Sequence, residues 1–228
     1  MLLLYSYLFV CGACTGSFIT CMAERLSGNL PIGNGSRSRC PHCGHSLRWW
    51  QLLPLLGVLL QRGHCFDCRA QISLRSSYLE LLCALLLVTT STNDWWSVAP
   101  LLLGYGALLF NRVTDYLTLN VYPVTLILPA LFGFWQQPPR LTGDTLILAT
   151  LLILLYLIAR HTNKFGLGDV DVLIMLSALS SPATVIVSLT LATVGALLVF
   201  VCQGRPGRLP FVPFITWGFI LCSQLSLG

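Results

Sequence analysis

"LTGDTLILATLLILLYLIARHTNKFGLGDVDVLIML", from Leu141 to Leu176, holds the features that decide the fold. From Thr145 to Ala159 no residue is charged and nearly all are apolar, the make-up of a membrane-crossing helix. The run closes on Arg160 and Lys164, passes through a turn containing Gly166 and Gly168, and returns to apolar sequence at Asp169. A charge placed there needs a reason.

The rest of the chain has the same character. Only 9% of its residues are charged, against about a quarter in ordinary soluble domains, and 55% are hydrophobic. Apolar runs such as "LLLYSYLFVCGACTGSFIT", "LELLCALLLVTT" and "PATVIVSLTLATVGALLVFV" place spans at roughly 1–23, 76–93, 96–112, 117–136, 143–159, 169–181, 183–202 and 210–227. The expected fold is an all-α polytopic membrane protein of about eight transmembrane helices, with a cytoplasmic four-cysteine zinc loop between the first and second. The first run is read as a retained span, because Arg25 follows it and no basic residue precedes it as in a secretory signal. The fourth span contains Pro123 and Pro129, and the sixth is short with two aspartates at its start, so either fits a broken or partly re-entrant segment. The organisation expected is a first span over 1–23, a zinc-binding loop over 24–75 and a transmembrane domain over 76–228.

Basic residues flanking spans stay on the cytoplasmic side. With eight spans, every Lys and Arg except Arg140 falls in a cytoplasmic loop, including Arg112, Lys164, Arg205 and Arg208. Both termini then face outward, and Asp115, Asp169 and the 24–75 segment come to the cytoplasmic face. The net charge of +5 is therefore mostly topology, and no basic stripe interleaved with aromatics indicates nucleic acid. "NGS" at Asn34 fits a glycosylation acceptor, but its cytoplasmic side removes that role.

The 24–75 segment carries the metal chemistry. Cys40, Cys43, Cys65 and Cys68 form two C-x2-C pairs, each able to grip one edge of a tetrahedral ion, and together they make a closed site of the zinc-ribbon kind. A cytoplasmic position keeps the thiols reduced and argues against disulfides. Four thiolates leave no open position, so the zinc is structural. His42, His45 and His64 lie nearby and read as surface residues of the knuckles. Cys11, Cys14, Cys21, Cys83, Cys202 and Cys222 lie in apolar sequence, where cysteine behaves as a small buried hydrophobe.

Asp115, in "LLFNRVTDYLTLNVYP", ends the third apolar run at the same cytoplasmic level as Asp169. Alone, each aspartate fits a capping carboxylate, and Asp169 after Gly168 fits the N-cap of the sixth helix. As a pair in a low-dielectric site they cannot both ionise easily, so one holds a proton while the other stays charged. That pair can activate water and protonate a leaving amide. Gly166 and Gly168 suit the close approach of an extended substrate. A cation site in a transporter, or a zinc-loop scaffold with the aspartates as caps, uses the same residues differently.

With these motifs assembled, the chain resembles the bacterial type IV prepilin peptidases, the leader peptidases of type IV pilus and type II secretion systems. "GACTGSFITCMAERL" is similar to the family's first-span ending, "SRCPHCGHSLRWW" and "RGHCFDCRAQISLRSSYLELL" to its zinc loop, "TDYLTLNVYPVTLILP" to the segment of its first catalytic aspartate, "FGLGDVDVLIMLSAL" to its G-x-G-D site and "RLPFVPFITWG" to its last span. The resemblance implies an inner-membrane aspartic endopeptidase with Asp115 and Asp169 as its catalytic pair. It also implies prepilin or pseudopilin substrates, whose basic leaders are cut at the cytoplasmic face. It further implies S-adenosylmethionine-dependent N-methylation of the new N-terminus, associated with the 24–75 loop. Thr20 stands where the family usually has Asn, Val113 and Thr114 precede Asp115 where Leu-Pro is usual, and Asp171 replaces a frequent Lys. A basic leader needs local acids on an arginine-rich face, and Glu24, Glu80 and Asp171 are the candidates at span boundaries. The lipid bilayer is the other partner expected, and oligomeric state is left open.

Overall fold

The computed structural model describes residues 1–30, 37–90, 94–138, 141–162, 166–203 and 209–227. Asn34, Arg140, Lys164, Arg205 and Arg208 lie outside the described residues. Within those residues the regular structure is helical, apart from two isolated antiparallel bridges, Arg39 with Ser46 and His64 with Gln71. The helices are α1 (Leu2–Ser27), α2 (Leu56–Leu60), α3 (Arg75–Thr89), α4 (Trp95–Thr118), α5 (Val124–Gln136), α6 (Gly143–Thr162), α7 (Leu167–Leu179), α8 (Pro182–Gln203) and α9 (Val212–Leu227), with a 3-10 turn at Trp49–Leu52. By length and composition α1, α6 and α8 are long and apolar enough to cross a membrane. α5 and α7 have 13 residues each, about 20 Å of helix against a hydrocarbon core of about 30 Å.

The chain divides into two compact units, Met1–Ser91 and Thr92–Gly228. In the first, α1 and α3 pack through glycines one helical turn apart. A Cβ on Gly12 would sit 2.6 Å from the Ala84 Cα, and one on Gly16 would sit 2.8 Å from the Glu80 Cα. Because the later residue of α1 meets the earlier residue of α3, the two helices run antiparallel. This is small-x-x-x-small packing, which lets backbones touch where lipid offers no hydrophobic drive between helices.

In the second unit, α4 packs against α5, α7 and α9. Its core is Leu108 and Leu109 of α4, Leu173 and Leu176 of α7, and Ile215 and Phe219 of α9, all closed to solvent. A polar clasp crosses this core: the Tyr105 hydroxyl and Ser223 Oγ lie 2.7 Å apart, and Gln224 Nε2 donates to the Tyr105 oxygen at 3.1 Å. α4 continues past the expected end near residue 112 as far as Thr118. Thr114 and Thr118 donate their hydroxyls back to carbonyls of the preceding turn, so the polar end of the run stays helical. α7 begins at Leu167, two residues earlier than the spacing suggested.

Candidate functional site

In the first unit the four cysteines lie on two knuckles of the same construction. Cys40 N–H donates to the His45 carbonyl and Gly44 N–H to the Cys40 carbonyl, each at 2.9 Å. Cys65 N–H donates to the Ala70 carbonyl at 2.8 Å and Arg69 N–H to the Cys65 carbonyl at 3.0 Å. The residue after the second cysteine is left-handed in both, Gly44 at φ +70 and Arg69 at φ +57. The four Sγ atoms lie within 4.8 Å of one another, with Cys40 and Cys68 3.9 Å apart, so the cluster could hold a metal ion. A tetrahedral ion with bonds of about 2.3 Å sets sulfurs about 3.8 Å apart, so the spacing suits zinc.

The charges of the thiols lead to the same chemistry. The backbone N–H groups of Cys43 and His42 lower the Cys40 thiol to about 6. At Cys68 the Ala70 N–H pulls downward, but burial and the thiols of Cys65, Cys43 and Cys40 prevail and push it up to about 12. Four sulfurs this close cannot all carry charge unaided, whereas a divalent cation removes the repulsion. The histidines stand aside: His45 Nε2 faces Asp67 at 3.4 Å, His64 Nδ1 lies 2.9 Å from the Arg62 carbonyl, and His42 is exposed.

A cavity of about 340 Å³ adjoins this cluster. Ser17, Thr20, Cys21 and Glu24 of α1, Ser76, Ser77 and Glu80 of α3, and the buried cysteines Cys40 and Cys65 all line it. Glu80 is buried and both of its oxygens are engaged, one by the Leu55 N–H at 2.8 Å and the other by the Ser76 hydroxyl at 3.1 Å. Glu24 has exposed surface, yet partial burial raises its carboxyl above the usual range against the opposing pull of Arg75.

In the second unit Asp115 and Asp169 are both buried and lie within electrostatic reach of each other. Asp115 Oδ2 accepts the backbone N–H of Val212 at 3.0 Å, and the Phe211 backbone N–H also reaches the carboxylate. Val212 is the first residue of α9, so Asp115 is held by free amides at that helix's start. Asp169 is the third residue of α7 and not its N-cap, a place that falls to Gly166. From there its carboxylate reaches back to the Gly166 N–H, the N3 half of a capping box. A Cβ on Gly166 would sit 3.0 Å from Asp169 Oδ2. One on Gly168 would sit 2.4 Å from the Val121 Cβ, so the backbone of α7 meets the segment after α4 at contact distance. Asp171 is half-buried and its carboxylate has no hydrogen-bond partner among the described residues.

Sequence reasoning missed two supports of this pair. Asn111 is fully buried; it accepts the Tyr122 N–H at 2.7 Å and donates to Thr125 Oγ1 at 2.7 Å. It thereby fixes the turn that presents Val121 to Gly168. Its signal was a carboxamide inside an apolar run. The Val212 amide had a fainter one, prolines at 210 and 213 around a helix start.

A family model described as the bacterial peptidase A24 N-terminal domain matches residues 10–93. Over 199 residues the chain is 32% identical to a prepilin leader peptidase/N-methyltransferase of Stutzerimonas stutzeri, covering 78% of this chain and 68% of that protein. A protein of the same description from Pseudomonas aeruginosa is 31% identical over 208 residues, covering 82% and 70%. The type 4 prepilin-like proteins leader peptide-processing enzyme of Escherichia coli O78:H11 is 28% identical over 204 residues, covering 83% and 76%. The chain belongs to the bacterial type IV prepilin peptidase family. No solved structure matches it. In this prepilin peptidase family member, the matched N-terminal domain and the first compact unit end within two residues of each other, at 93 and Ser91.

Proposed function

We propose that this protein is an aspartic endopeptidase of the cytoplasmic membrane that removes the basic leader from type IV prepilins or pseudopilins and then methylates the new N-terminal amine. The observation that carries the proposal is the burial of Asp115 and Asp169 together, each oriented by backbone amides. α1 and α3 to α9 are read as the eight membrane segments, with the thiolate cluster and both aspartates toward the cytoplasm.

Asp115, already accepting the Val212 N–H, is suited to act as the carboxylate that takes a proton from water. Asp169 then gives its proton to the scissile carbonyl oxygen; as the intermediate collapses that hydroxyl proton returns to Asp169, and Asp115 passes the proton it took from water to the leaving amine. Gly166 leaves backbone without a side chain beside Asp169, the side from which an extended leader segment would approach, while Gly168 lets α7 pack against Val121. Asp171, the acid near the pair with no partner among the described residues, is the first choice for a leader Lys or Arg. Glu24 is the second, and Glu80 serves instead to hold Leu55.

Cys40, Cys43, Cys65 and Cys68 are the ligands of one structural zinc. For the second activity, the chain's own cavity offers Glu24 and the Ser77 hydroxyl, a buried oxygen with no hydrogen-bond partner among the described residues. S-adenosylmethionine bound there would supply a methyl group as a sulfonium, and the Glu24 carboxylate would face that cation and take the proton that the substrate ammonium must lose before its nitrogen is methylated. Incubating purified protein with a prepilin panel and weighing the products tests both activities: cleavage removes the leader, and methylation adds one methyl. Unchanged substrate mass across the panel overturns the reading.

A further inference from the structure

Residues 49–60, "WWQLLPLLGVLL", are turned inside out for a loop in water. Trp49 is 77% exposed, Leu59 71%, Leu60 63% and Leu56 54%, while the polar side chains face inward. Gln51 is buried, accepts the Arg48 N–H at 2.7 Å and donates to Gln61 Oε1 at 3.0 Å; Gln61 donates in turn to the Gly57 carbonyl at 2.9 Å. The 3-10 turn and α2 are pressed together, since a Cβ on Gly57 would lie 2.3 Å from the Gln51 carbonyl oxygen. Their exposed leucines and Trp49 therefore belong to one small structure.

The depth of that structure is set by Glu80. It stands five residues into α3 from Arg75, about 7.5 Å along the helix axis, and receives the Leu55 N–H directly. Arg25 near the end of α1 and Arg75 at the start of α3 mark the polar boundary of the pair. Leu55 is thus tied at a level inside that boundary. An amphipathic segment at a bilayer surface sinks about 5–10 Å into the junction of headgroups and acyl chains, the same depth.

We propose that residues 49–60 are embedded in the lipid of the leaflet that receives the α1 and α3 ends, with Trp49, Leu56, Leu59 and Leu60 facing acyl chains. Exposed arginines at 62 and 69 follow the segment and suit anionic headgroups. The inward glutamines and Glu80 satisfy backbone and side-chain polar groups that lipid cannot. The inference rests on reading α1 and α3 as membrane helices, and it makes the N-terminal unit a bilayer-seated platform.

The test uses the full chain in vesicles of phosphatidylethanolamine and phosphatidylglycerol. A genetically encoded environment-sensitive fluorescent residue is placed singly at Leu59, at exposed Val10 within α1, or at exposed Ser46 on a knuckle. Lipids brominated in the upper acyl chain should quench the Leu59 and Val10 probes, and aqueous iodide should quench Leu59 about fivefold less than Ser46. Iodide quenching of Leu59 equal to that of Ser46 overturns the proposal. Protection from iodide without quenching by brominated lipid also overturns it, and assigns the face to a second copy of the chain. Failure of Val10 to respond to brominated lipid would instead sink the membrane reading of α1. Should the Leu59 variant lose its zinc, the same probe at Trp49 gives the same comparison.

Discussion

Each half of the thiolate cluster is closed by one turn of its own backbone, and the second half repeats the first. The aspartate pair has no such local maker. Asp115 and Asp169 come from different helices, and the amide that holds Asp115 arrives 97 residues later in the chain. A metal knuckle is therefore a property of a few neighbouring residues, whereas the carboxylate pair is a property of a folded helical unit. Damage to the first should stay local, and damage anywhere in the packing of α4, α7 and α9 should reach the second.

Four experiments probe that contrast. Asp115→Asn or Asp169→Asn should each lower leader cleavage by about 10³-fold or more, because an amide cannot exchange the proton and the pair acts as a unit. Metal analysis of the same variants should still find one zinc per chain. A single variant with near-normal turnover would dissolve the pair. Cys65→Ser should take zinc from one per chain to none and open the 37–75 region to protease, since binding of a structural zinc can contribute about 10 kcal/mol or more to a small fold. The helix content of the second unit should be unchanged by circular dichroism.

Asn111→Ala leaves the Tyr122 N–H without its acceptor and should cost about 1–3 kcal/mol of stability in the second unit. Cleavage should fall while zinc content holds. If cleavage is untouched, Val121 does not depend on this turn to reach Gly168. The smallest effect is expected at Arg69, whose left-handed backbone costs about 1–2 kcal/mol in a side-chain-bearing residue, partly offset by the entropy of glycine. Arg69→Gly should make the second knuckle match Gly44 of the first and raise resistance of the loop to protease slightly. A loss of resistance would break the equivalence of the two knuckles.

The same contrast explains which features are legible in the sequence and which are not. Cys40, Cys43, Cys65 and Cys68 were legible because their meaning lies in spacing. The apolar runs were legible because a bilayer sets their length, and every expected span overlaps a helix. Asp115 and Asp169 were legible as a pair because two carboxylates in a charge-poor chain fall at one membrane level, and the resemblance added a catalytic role. Gly12 and Gly16 carry a readable small-x-x-x-small spacing whose packing against Ala84 and Glu80 emerged only with the fold. Asn111 and the Val212 amide were not legible in their roles, because each acts on a partner that only tertiary folding brings near. Residues 49–60, within the zinc-binding loop expected over 24–75, show no role in the sequence for a related reason. Their leucines look like core residues until Gln51, Gln61 and Glu80 are seen to occupy the inside.

The contact between Asp115 and Val212 also bears on biosynthesis. A ribosome adds about 5–20 residues each second, so the 97 residues between them take roughly 5–20 s to make. Throughout that interval the nascent chain carries Asp115 without the amide that receives it. Whatever chemistry Asp115 performs in its final setting begins only after the start of α9 has been translated and packed.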